Sequence, residues 1–94
     1  MLKFWLKIYK DNKLINDSVC DLTEKLPGEK MLNEGLKNCC YELDIPNPMI
    51  MKKHINDIKM YSLTRFLPDD FPETVEFDKV EINIFDDSKN KKRI

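Results

Sequence analysis

Glycine is nearly missing from this chain of 94 residues, which holds only Gly28 and Gly35. Loops that cradle phosphate or an oxyanion with backbone N–H groups need several glycines for the close approach, so both devices are excluded. Long apolar runs are also missing. The longest span three residues, as at Met49-Ile50-Met51, whereas a membrane-spanning helix needs about 20. The N-terminus alternates basic and apolar residues and carries no signal-peptide core. Cysteine occurs three times, at Cys20, Cys39 and Cys40. An odd number without an export signal argues against a disulfide framework. Adjacent Cys39 and Cys40 are too close for an ordinary structural disulfide within regular structure, and all three read as small hydrophobes. These absences point to a cytoplasmic protein.

Two amounts set the class. Apolar residues make up 41% of the chain and charged residues 35%, enough of the first to fold and too much of the second for a bilayer. The length suits one domain, expected over residues 1–87, with 88–94 as a charged tail. Net charge is −1, so no global field draws in nucleic acid or an anionic surface. The charge is unevenly spread. Residues 69–87 carry eight acids (Asp69, Asp70, Glu73, Glu76, Asp78, Glu81, Asp86 and Asp87) against Lys79, and Lys89, Lys91, Lys92 and Arg93 follow.

Periodicity gives the elements. Leu2, Phe4, Leu6 and Ile8 alternate with Lys3, Trp5, Lys7 and Tyr9, which predicts a strand with one face in the core. Lys10-Asp11-Asn12-Lys13 is turn chemistry, and a second strand over 14–20 completes an antiparallel hairpin. Leu32, Leu36, Cys39, Cys40 and Leu43 recur at steps of three and four, predicting an amphipathic helix from Glu29 to about Asp44. Gly35 costs that helix roughly 1 kcal/mol of propensity, a cost explained if the helix must lie close to the sheet there. Asn47-Pro48 either caps a second helix at once, or residues 48–51 stay extended and the helix begins near Lys52. It closes near Tyr61. Residues 62–67 suggest a brief strand, and Val80, Ile82 and Ile84 mark a final one. The expected fold is α+β: a small, mostly antiparallel sheet with two helices on one face, in the order β-β-α-α-(β)-β. The last strand is expected beside the first, its acidic face next to Lys3 and Lys7.

Cys40-Tyr41-Glu42-Leu43-Asp44-Ile45-Pro46 with Pro48, then Thr64-Arg65-Phe66, Asp69, Phe71, Phe77-Asp78 and Glu81-Ile82 resemble a family of short hypothetical proteins from Firmicutes. The resemblance covers most of residues 2–86. It implies the domain limits and a bacterial cytoplasm, and it transfers no activity. In that family a histidine stands where this chain has Tyr61, and His54 has no counterpart, which counts against either position as a general base.

Candidate chemistry is sparse. His54 with Cys39, Cys40 and Asp57 could be imagined around a metal, but adjacent helical cysteines point about 100° apart and zinc ligands are spaced to converge. His54 between lysines reads as an exposed helix residue. A cysteine–histidine nucleophile lacks an oxyanion loop. No catalytic residue, metal or cofactor is expected. Arg65 could clamp an anion with its planar fork, or tie the irregular connection down through Asp69, Asp70 or Asp78. The acidic stretch could hold a divalent cation, but it lacks EF-hand spacing and reads as a solvated face. Lys3, Trp5, Lys7 and Tyr9 form the outward face of the first strand. Such a face suits a protein partner or a second copy of the chain, anchored by Trp5 and Tyr9, unless the chain's own tail covers the two rings. The alternative is single-stranded nucleic acid, with bases on the rings and phosphates on the lysines.

Overall fold

The computed structural model describes residues 2–22 and 27–86. Strands β1 (Leu2–Lys10) and β2 (Lys13–Asp21) are followed by helices α1 (Gly28–Leu43) and α2 (Lys52–Tyr61), then by β3 (Leu63–Phe66) and β4 (Lys79–Asp86). One four-stranded sheet results, in the spatial order β2-β1-β4-β3, with every pair antiparallel. Both helices lie on one side of it, which is the α+β arrangement expected from the sequence. No helix among the described residues is long and apolar enough to cross a membrane. The tail expected at 88–94 lies outside the described residues.

The hairpin turns through Asp11 and Asn12, whose φ values of 53° and 64° are both positive. A two-residue turn of that kind matches the right-handed twist of its strands, and Asp and Asn tolerate it best after glycine. Asp78 steadies the turn by accepting the Asp11 N–H at 2.7 Å. One irregularity follows. Ile8 stands opposite Asn16 and Tyr9 opposite Leu14, so Ile15 is an extra residue in β2.

Phe4, Leu6 and Ile8 of β1 point inward with Val80, Ile82 and Ile84 of β4 and Phe66 of β3, and all are buried. From above, Leu32, Leu36, Cys39 and Cys40 of α1 and Ile58 of α2 close the same core. Helix α1 sits so near β1 that a Cβ on Gly35 would come within 2.1 Å of the Phe4 ring. The expected close approach is therefore real, and it accounts for a glycine in mid-helix.

Residues 48–51 form no regular element, and Met51 is extended at φ −115° and ψ 169°, so α2 starts at Lys52. The second of the two readings holds. Asp44 and Ser62 end the two helices in the left-handed region.

His54 requires a correction. It was expected on the solvent face of α2, yet it is 1% exposed. Its ring lies over Phe66 with centroids 4.1 Å apart. Nδ1 accepts the Met51 N–H at 3.0 Å and so satisfies a donor at the start of the helix. The flanking lysines misled because a helix turns 100° per residue, so neighbours in sequence need not share an environment. Nε2 must then carry the proton. It faces Asp70 Oδ2 at 3.5 Å, and Asp70 also takes the Leu67 N–H at 2.9 Å. Burial is the main influence on the imidazole and lowers its pKa; Asp70 opposes this.

Candidate interaction face

With both helices on one side, the other face of the sheet has no layer over it among the described residues. Register fixes what stands there. Along β1 the open face shows Lys3, Trp5, Lys7 and Tyr9, the four residues expected to point outward. β4 adds Lys79, Glu81, Asn83 and Phe85; β2 adds Asp17, Val19 and Asp21; β3 adds Leu63 and Arg65. Because opposed residues share a face, these side chains form rows across the strands.

Two rows span the full sheet. Val19, Trp5, Asn83 and Leu63 make an apolar row interrupted by one amide. Val19 and Leu63 are 49% and 41% exposed, while Trp5 is half-buried among its neighbours. Asp17, Lys7, Glu81 and Arg65 make the next row, in which charge alternates from one edge to the other.

Local contacts hold the rows in place. The Trp5 indole N–H donates to Asp17 at 2.9 Å. Its ring meets Phe85 edge-on at 6.5 Å between centroids, and the Lys7 ammonium lies 4.5 Å from the centre of the Trp5 ring. Lys7 stands 3.8 Å from Glu81, which also takes Lys79 at 3.2 Å. Lys3 pairs with Asp21 of β2. Lys79 sits 5.0 Å from the Tyr9 ring centre. A tryptophan whose N–H and face are both engaged is already ordered, so a partner that covers it loses little side-chain entropy.

Arg65 is exposed, and among the described residues it makes no ion pair. It stands opposite Glu81 in register, but Glu81 is held by two lysines. The internal bridge imagined to Asp69, Asp70 or Asp78 is not formed: Asp70 is taken by Lys53, His54 and the Leu67 N–H, and Asp78 by the hairpin turn. A cleft of 170 Å³ opens beside Arg65 between α2 and β3, lined also by Asp57, Tyr61, Leu63, Thr64 and Glu81. Thr64 donates to Asp57 there at 2.9 Å. With two carboxylates to one guanidinium, this cleft does not select anions.

The acidic stretch is put to structural use at Asp70, Asp78 and Glu81. Among the described residues, no three His, Cys, Asp or Glu side chains gather as a metal site would require. The thiols are equally quiet. Burial pushes Cys20 up to about 12 and Cys40 up to about 11, and it raises Cys39 as well. None is a thiolate near neutral pH.

The sheet edges are blunted. In β2 the Asp17 N–H is taken by the Asn16 side chain at 2.9 Å, and the extra Ile15 interrupts the ladder. The opposite edge, β3, offers only four residues. Both are devices that discourage strand addition, which leaves the face rather than an edge as the surface to explain. Sequence reasoning found the β1 members of this face and, by expecting the last strand beside the first, its acidic β4 flank, which the register bears out with Lys7 opposite Glu81. It missed Asp17 and Val19, hidden because the bulge at Ile15 reverses the parity of β2, and the β3 members.

No protein-family model, curated protein or solved structure matches the chain.

Proposed function

We propose that this chain is a non-enzymatic interaction module that associates with a second copy of itself through the open face of its sheet. The observation that carries this reading is the apolar row Val19, Trp5 and Leu63, bordered by charge on a sheet face that carries no second layer among the described residues. An apolar centre with a polar surround is the anatomy of a protein–protein surface, and aromatic anchors supply most of its binding energy. A second observation concerns the lysines. Lys3 and Lys7 are each set against a carboxylate, so the face offers alternating signs rather than the continuous positive track that a phosphate backbone selects.

The test is the mass of the particle in solution. Light scattering after size exclusion should give a dimer for the wild-type chain and a monomer for Trp5→Ala, both with the same far-UV circular dichroism. A folded Trp5→Ala variant that keeps the wild-type mass contradicts the proposal. Binding of a labelled single-stranded oligonucleotide that weakens steeply with salt would instead assign the face to nucleic acid.

A further inference from the structure

The charged row carries more information than its presence. Read from β2 to β3 it runs Asp17, Lys7, Glu81, Arg65: negative, positive, negative, positive. Reversed, the same row begins positive and ends negative. A row with this property is complementary to itself when turned end for end.

We infer that two copies stack face to face about a two-fold axis that runs along the strands between β1 and β4. The inference rests on the self-association proposed above and specifies its geometry. Such an axis lays β2 of one copy over β3 of the other, and β1 over β4. Asp17 then meets the partner copy's arginine at position 65, and Lys7 meets its glutamate at position 81. The apolar row obeys the same operation: Val19 falls on the leucine at position 63, and Trp5 on the asparagine at position 83. Closed two-fold interfaces require this self-complementarity, because one patch must fit its own rotated image. Two sheets packed face to face are about 10 Å apart, which leaves side chains of this length to fill the gap.

Two unexplained features are accounted for together. Arg65 is exposed and makes no ion pair among the described residues, although the two inner charges of its row, Lys7 and Glu81, each stand between opposite charges. At the other end of the row Asp17 is exposed and accepts the Trp5 N–H through Oδ2, so its second oxygen, Oδ1, is the one that would receive a guanidinium. An axis normal to the sheet, as in edge-to-edge pairing, would not bring these two residues together.

Charge reversal tests the arrangement. Asp17→Arg and Arg65→Asp should each weaken self-association at least roughly tenfold, because each puts like charges in contact across the axis. An equimolar mixture of the two variants should recover a dimer of wild-type strength, since one chain then presents only arginine at these positions and the other only aspartate. Sedimentation velocity on the separate and mixed samples reads both effects. If the wild type dimerises through Trp5 but the mixture stays as weak as its components, the axis is wrong and the open-face reading survives. A monomeric wild type overturns both. Asp17→Arg also removes the Trp5 hydrogen bond, so a second measurement is needed in case it does not fold. A short bismaleimide should join Asp17→Cys chains to Arg65→Cys chains more readily than it joins either variant to itself. Equal yields would overturn the arrangement.

Discussion

Phe4 and Trp5 are neighbours in β1, and they belong to different worlds. Phe4 points into the helix-covered side, where it is fully buried against Gly35 of α1. Trp5 points to the open side, where it is held by Asp17, Lys7 and Phe85. The same alternation runs through β4, with Val80, Ile82 and Ile84 on one side and Lys79, Glu81 and Asn83 on the other. The covered side is a close-packed apolar layer whose energy comes from excluded water. On the open side, hydrogen bonds, ring contacts and ion pairs order large side chains that stay only partly buried. One side holds the domain together, the other carries the proposed interaction, and the two should fail separately.

The sharpest way to break this contrast is substitution on the covered side. Phe4→Ala should cost about 3–5 kcal/mol, as large aromatic truncations in cores do. With total stability on the order of 5 kcal/mol for so small a domain, much of the population would unfold. Urea denaturation followed by circular dichroism measures it. A loss as small as that of Trp5→Ala would erase the distinction between the two sides.

Gly35→Ala comes next. Better helix propensity returns roughly 1 kcal/mol, but the new methyl would sit inside the Phe4 ring unless α1 moves, and overpacking costs up to about 3 kcal/mol. A net loss of about 2 kcal/mol is expected as a lower urea midpoint at unchanged slope. Stabilisation by this exposed-helix remedy would show that α1 is free to lift away from the sheet.

His54 supplies a third contrast, because it is the one titrating group in the covered layer that changes charge near neutrality. Its folded pKa lies below the unfolded value of 6.5, chiefly through burial. The unfolded chain therefore binds the proton first, so the stabilising contribution is complete above pH 6.5 and is lost as pH falls below it. Protonation also removes the Nδ1 lone pair that receives the Met51 N–H. Lys53 and Asp57 of α2 and Asp70 beyond β3 are the charged groups around the ring, and only the carboxylates resist the loss. Stability should decline by up to about 1.4 kcal/mol per pH unit, and His54→Phe should flatten that slope. Equal slopes in the two proteins would remove His54 from the account.

The smallest effect lies on the open side. A double-mutant cycle on Lys7→Ala and Glu81→Ala should give a coupling of about 0.5 kcal/mol to folding, in keeping with a partly exposed pair at 3.8 Å. A coupling as large as a buried pair's would mean that the open face also holds the fold together.

Much of the covered side could be read from the chain alone, because alternation in β1 and β4 and the three-four spacing in α1 each have one physical interpretation. Gly35 even announced the close approach of helix to sheet. The open side was legible along β1 and, through the expected pairing of the last strand with the first, at the acidic flank of β4. Its rows depend on which strand stands beside which and in what register, and one extra residue at Ile15 reverses the facing of half of β2. His54 was misread for a related reason: its burial follows from where Phe66 and the turn at Pro68–Asp70 come to rest, and these are distant in pattern although near in space.

Trp5 is the only tryptophan in the chain, and it lies at the centre of the open face. Its fluorescence on dilution is therefore the most direct test of the account. The emission should shift to longer wavelength as the protein is diluted through its dissociation range, with far-UV circular dichroism unchanged, because water reaches the indole while the fold stays intact. Emission that does not depend on concentration would mean that nothing identical to itself covers this face.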